Sequence, residues 1–106
     1  MTNANLKVGV IIKAQQYTKQ FIEFILKKSK FFNRFESELN ERELKVIRRM
    51  LDEGPKGFEG GMTAKKYISI AKTSKATATR DLQNLTELGV LRIEGGGRST
   101  RYHLNI

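Results

Sequence analysis

Residues 74–85 read SKATATRDLQNL, and the fold turns on them. Apolar residues at Ala78, Leu82 and Leu85 recur at helical spacing, with Asp81 and Gln83 filling the gaps. The first two turns nevertheless carry Ser74, Thr77 and Thr79, where surface helices favour Glu, Lys and Gln. With Ala78 at the centre of the buried face and about 100° per residue, Leu82, Leu85 and Gly89 share that face. The opposite side holds Ala76, Arg80, Gln83 and Glu87, flanked by Thr77 and Thr79. Ser74 is placed as N-cap and Gly89 supplies the left-handed conformation that ends many helices, so a helix is expected over 74–88.

On the N-terminal side, Lys72 and Thr73 separate this helix from AKKYISIA (residues 64–71), which Thr63 caps and whose core residues should be Tyr67, Ile68 and Ala71. On the C-terminal side, VLRIE and RYHLNI alternate with period two around GGGRST, the pattern of a β-hairpin with a long flexible tip. Leu91, Ile93, Tyr102, Leu104 and Ile106 are expected to face the core, and Arg92, Glu94, Arg101 and His103 to face water. Two helices joined by a short turn and followed by a two-stranded ribbon make a winged helix-turn-helix. The expected class is therefore mainly α with a small β-hairpin.

Further upstream, Asn40 and Glu43 form a capping-box pattern, and Leu39 and Leu44 are spaced for a hydrophobic staple. Leu44, Ile47, Met50 and Leu51 are the expected buried stripe of that helix. Gly54-Pro55 stops it, and GPKGFEGG is a loop. From Val10 to Asn33 no Gly or Pro interrupts a long helical pattern with Ile11, Ala14, Phe21, Ile25 and Phe32 near one stripe. Phe24, Leu26 and Phe31 lie off it, so more than one face is apolar. The expected division is residues 1–35, a long helix or linker that packs on a domain further upstream, and residues 36–106, the winged domain. The helix could equally pair with a second copy as a homodimer.

Twenty Lys and Arg against eleven Asp and Glu leave a net charge of +9 on 106 residues, which suits a polyanion as partner. From Met62 to Arg80 the chain carries Lys65, Lys66, Lys72, Lys75 and Arg80 and no acid, whereas residues 40–53 mix both signs. No cysteine is present, so disulfides and thiolate metal sites are excluded, and the composition fits a cytoplasmic protein. No apolar run reaches the roughly 18 residues of a membrane span. His103 stands alone, so no metal site is expected, and no carboxylate pair or nucleophile–base set suggests catalysis. Nor is a cofactor expected: the Gly-rich stretch at 95–97 lacks the following Lys-Ser/Thr and helix of a phosphate-binding loop.

These features converge on double-stranded DNA. A recognition helix presents its first turns to base edges, and small residues there allow close approach. Thr77 and Thr79 offer hydroxyls and methyls, Ala76 a methyl, Arg80 a bidentate donor for guanine and Gln83 the same for adenine. The N–H groups after Ser74 suit a phosphate, with Lys72 and Lys75 beside them. In the wing, Arg98, Ser99, Thr100 and Arg101 supply donors for the backbone.

The segments LNERELKVIRRMLDEGPKGFEGGMT, KYISIAKTSKATATRDLQNLTELGVL and GGGRSTRYHL together resemble the C-terminal winged-helix domain of bacterial Fic-family proteins, from about Phe31 to Ile106. The run Ser74, Ala76, Thr77, Arg80, Asp81 and Leu82 is also similar to the recognition helix of DeoR-type repressors. The GGGRST wing favours Fic. The resemblance implies a regulatory, DNA-binding part of a longer protein whose upstream domain transfers AMP to protein hydroxyls. The family's catalytic HxFxDGNGR motif is absent here, since His103 is followed by Leu104 and Asn105, so no catalytic residue carries over.

Overall fold

The computed structural model describes residues 4–54 and 57–106, with the side chains of residues 4–17 outside that description. In chain order the elements are α1 (Ala4–Phe35), a single 3-10 turn (Glu36–Glu38), α2 (Glu41–Asp52), α3 (Ala64–Ala71), α4 (Lys75–Glu87), β1 (Leu91–Glu94) and β2 (Arg101–Leu104). The fold is mainly α with a small antiparallel hairpin, in the order of a winged helix-turn-helix behind a long N-terminal helix.

Local chemistry sets the helix ends. Asn40 and Glu43 close a reciprocal capping box, Thr63 accepts from Lys66 N–H, and Ser74 accepts from Thr77 N–H. Between α3 and α4, Lys72 adopts the left-handed conformation (φ 53°), which turns the chain within three residues. Helix α4 ends in a Schellman motif: Gly89 (φ 82°) donates to Thr86 C=O and Val90 donates to Leu85 C=O.

The core gathers Val46, Ile47, Met50 and Leu51 of α2, Tyr67 of α3, Ala78, Leu82 and Leu85 of α4, then Val90 and Leu91. Val46 takes the buried place expected of Leu44, which is only half-buried, and Ile68 and Ala71 lie at the edge of the core. Met62 is fully buried and pairs with Tyr102 through two backbone hydrogen bonds (2.8 and 2.9 Å), adding a one-residue third strand beside β2.

In α1, Phe31 and Phe35 are buried, with Phe24 and Phe32 packed at the margin, while Phe21 and Ile25 are exposed. Both sides of α1 are apolar, so periodicity could not choose between them; Ile11 and Ala14 lie outside the described side chains. The core thus reaches back past residue 36. The hairpin departs from expectation: Ile93 and Ile106, expected to face the core, are 53% and 45% exposed, because the core reaches only Leu91 of β1 and, at its margin, Tyr102 and Leu104 of β2.

Three polar bridges lock α4 onto the other helices. Arg42 holds Asp81 in a bidentate ion pair (Nε–Oδ2 3.0 Å, Nη2–Oδ1 3.2 Å), and Tyr67 donates its hydroxyl to the same carboxylate at 2.7 Å. Asn84 donates to Glu43 Oε2 at 2.9 Å. Burial alone would push the Asp81 carboxyl up, but hydrogen bonds from Arg42 and Tyr67 outweigh it and hold it below the usual carboxylate range. Burial, and then the bond to Asp81, raises the Tyr67 phenol. No helix among the described residues is long and apolar enough to cross a membrane.

Candidate nucleic-acid interface

The first turns of α4 present a polar, basic surface. Lys72, Ser74, Lys75, Ala76, Thr79, Arg80 and Gln83 are exposed and Thr77 is half-buried, while Ala78, Leu82 and Leu85 anchor the other side at 1% exposure or less. Lys72, Lys75 and Arg80 make no ion pair among the described residues. The acid next to Arg80 in sequence, Asp81, is turned inward and already neutralised by Arg42. The result is an exposed cationic face without a competing carboxylate until Glu87, which lies 3.5 Å from Gln83 Nε2 at the far end of the helix.

Hydroxyl groups on this face are partly committed. Ser74 Oγ accepts Thr77 N–H at 3.1 Å and donates to Thr77 Oγ1 at 3.0 Å; Thr79 Oγ1 donates to Lys75 C=O at 2.9 Å. Such bonds back to the preceding turn are the usual resting place of a helical Thr hydroxyl. What remains free to donate outward is the Thr77 hydroxyl, the second amide hydrogen of Gln83 and the three cations.

Hydrogen bonds close the tip of the wing on itself. Residues 97–99 form a 3-10 turn, Ser99 Oγ donates to Gly96 C=O and Thr100 Oγ1 donates to Gly97 C=O, each at 2.9 Å. Gly95 has φ 75°, and a Cβ there would sit 2.4 Å from Ser99 C=O, so the tip closes only around glycine. Because Ser99 and Thr100 spend their hydrogens within the turn, Arg98 is the exposed cation of the tip and has no ion-pair partner among the described residues. Arg101 is half-buried and donates to Thr100 C=O at 3.0 Å. Below the tip, Glu94 pairs with Arg92 and with His103 Nε2 (3.2 Å), contacts that lower its carboxyl and occupy the acid nearest the wing.

β1 packs on α4, which brings the two candidate elements together. A groove between them is lined by Thr79, Gln83, Thr86, Glu87, Ile93 and Tyr102. Ile93 and Tyr102 were not foreseen as part of this surface; the one sequence signal was Ile93 and Tyr102 falling opposite each other if the strands are paired from the glycine tip. No group of three or more His, Cys, Asp or Glu suited to a metal ion occurs among the described residues. No protein-family model and no curated protein matches this chain.

Proposed function

We propose that the chain binds double-stranded DNA, with α4 as recognition helix in the major groove and the hairpin tip against the neighbouring backbone. The observation that carries this is the exposed face of Lys72, Lys75 and Arg80, cleared of negative charge by the inward turn of Asp81 onto Arg42 and Tyr67. Small residues at Ala76 and Thr79 let that face approach base edges, and Arg80 and Gln83 reach from it. On this reading the chain is a cytoplasmic transcription regulator rather than an enzyme, and the GGGRST wing supports its being the regulatory C-terminal part of a bacterial Fic-type protein. The test begins with selection of bound duplexes from a random pool. On the selected site Arg80→Ala should cost about 1–3 kcal/mol and relax specificity, whereas Arg98→Ala should weaken all sequences alike. Equal binding by both variants and the parent would overturn the assignment.

A second reading, protein–protein interaction through α1, is favoured by one specific observation. Phe21, Ile22, Ile25 and Leu26 are exposed at 62%, 51%, 54% and 56%, a contiguous apolar stripe on a helix otherwise rich in Lys. It would cover either an upstream Fic domain or a second copy of the chain. Sedimentation over a range of concentrations should show self-association that Ile25→Lys removes. A strict monomer that also binds no upstream domain would remove this reading.

A further inference from the structure

We propose that the groove between α4 and the hairpin seats the sugar edge of one DNA strand, with Ile93 as its apolar floor. This rests on the DNA-binding reading and adds to it a contact made by neither a cation nor a base-reading side chain. Strand alternation would send Ile93 inward, yet it is 53% exposed and opens into the groove beside its cross-strand partner Tyr102. A helix in the major groove and a hairpin tip beyond it must straddle the backbone strand that separates the two grooves. The floor between them then faces that strand.

A backbone strand offers two chemistries in alternation, anionic phosphates and the C–H surface of deoxyribose. The groove suits the second along its floor and the first only at its Thr79 end, since Glu87 is the one charged residue that lines it. Ile93 and Tyr102 provide apolar surface, Gln83 provides an amide on its wall, and Arg80 follows Thr79 on the adjoining exposed face. Glu87 closes the other end with negative charge and takes the Gln83 amide at 3.5 Å, so a phosphate is accommodated only towards Thr79. The Glu87 carboxylate therefore limits where along the groove a phosphate can lie, and the strand is fixed there by the two elements that straddle it.

The test is titration of the full chain with a selected duplex and with an unrelated one, at several salt concentrations. Ile93→Ala should weaken both about 4- to 10-fold, the value of covering the open half of an Ile side chain. The slope of log affinity against log salt should not change, because an apolar contact releases no counterions. Ile93→Leu should recover most of the loss, and Arg98→Ala should instead reduce the slope by about one. Ile93→Ala binding like the parent while Arg80→Ala is weakened would overturn the groove but spare the DNA reading. A loss confined to sites with thymine at one position would assign Ile93 to a base methyl and overturn the sugar contact. Absence of binding by the parent chain even at low salt would overturn both.

Discussion

Asp81→Ala should lower the stability of the chain by about 2–4 kcal/mol, seen as a fall of roughly 10–20 °C in melting temperature. The carboxylate is buried and serves two partners from two other helices, Arg42 of α2 and Tyr67 of α3. Removing it leaves the Tyr67 hydroxyl buried with nothing to donate to, and an unpaired buried polar group costs more than the bond it lost was worth. Asp81→Asn keeps the shape and an acceptor for Tyr67, so it should fall between the parent and Asp81→Ala. The pH dependence follows from the lowered carboxyl. The folded chain releases this proton more readily than the unfolded one, so the contribution is complete above the ordinary aspartate value of about 3.9. It is lost as pH falls through the lower folded value. Asp81→Ala should therefore flatten the acid limb of stability against pH. A loss below about 1 kcal/mol, with the acid limb unchanged, would mean the ion pair does not hold α4 in place.

Phe35→Ala should be at least as damaging, at about 3–5 kcal/mol, although it lies on the helix read from sequence as a linker. Its ring is 5% exposed and meets Phe31 edge to face, with centroids 5.1 Å apart and planes at 62°. Phe21→Ala, two-thirds exposed on the same helix, should stay within about 0.5 kcal/mol. Chemical denaturation of the two variants measures both. A Phe35→Ala cost as small as about 0.5 kcal/mol would mean that α1 contributes nothing to the core and is a linker as far as residue 35.

The difference between these phenylalanines shows what could and could not be read in advance. Caps at Asn40, Thr63 and Ser74 and the helix stop at Gly89 were legible because each depends on residues within one turn of itself. The inner face of α4 was legible because Leu82 and Leu85 have no large apolar rivals on the opposite side, which offers only Ala76. In α1 the rivals exist, and only packing into the core cluster selects Phe31 and Phe35 over Phe21 and Ile25. Ile93 was misplaced for a related reason: alternation says which residues share a face of a strand but not how far the core extends beneath it. The Arg42–Asp81 pair, 39 residues apart, had no local signature. Nor had the Met62–Tyr102 bridge, since one residue is too short for a strand pattern. In the candidate interface the cations and the helix were legible. The commitment of the Thr79, Ser99 and Thr100 hydroxyls to nearby carbonyls was not, because it depends on rotamers and on the tip conformation.

DNA binding itself is tested most directly by fluorescence titration of the full chain against labelled duplex DNA across a salt series. Lys72, Lys75, Arg80, Arg98 and the half-buried Arg101 are the cations of the proposed interface. If about five charges are neutralised, log affinity should fall against log salt with a slope near −4 or −5. A duplex bound weakly with no dependence on salt, or not bound even at low salt, would contradict the proposed interface.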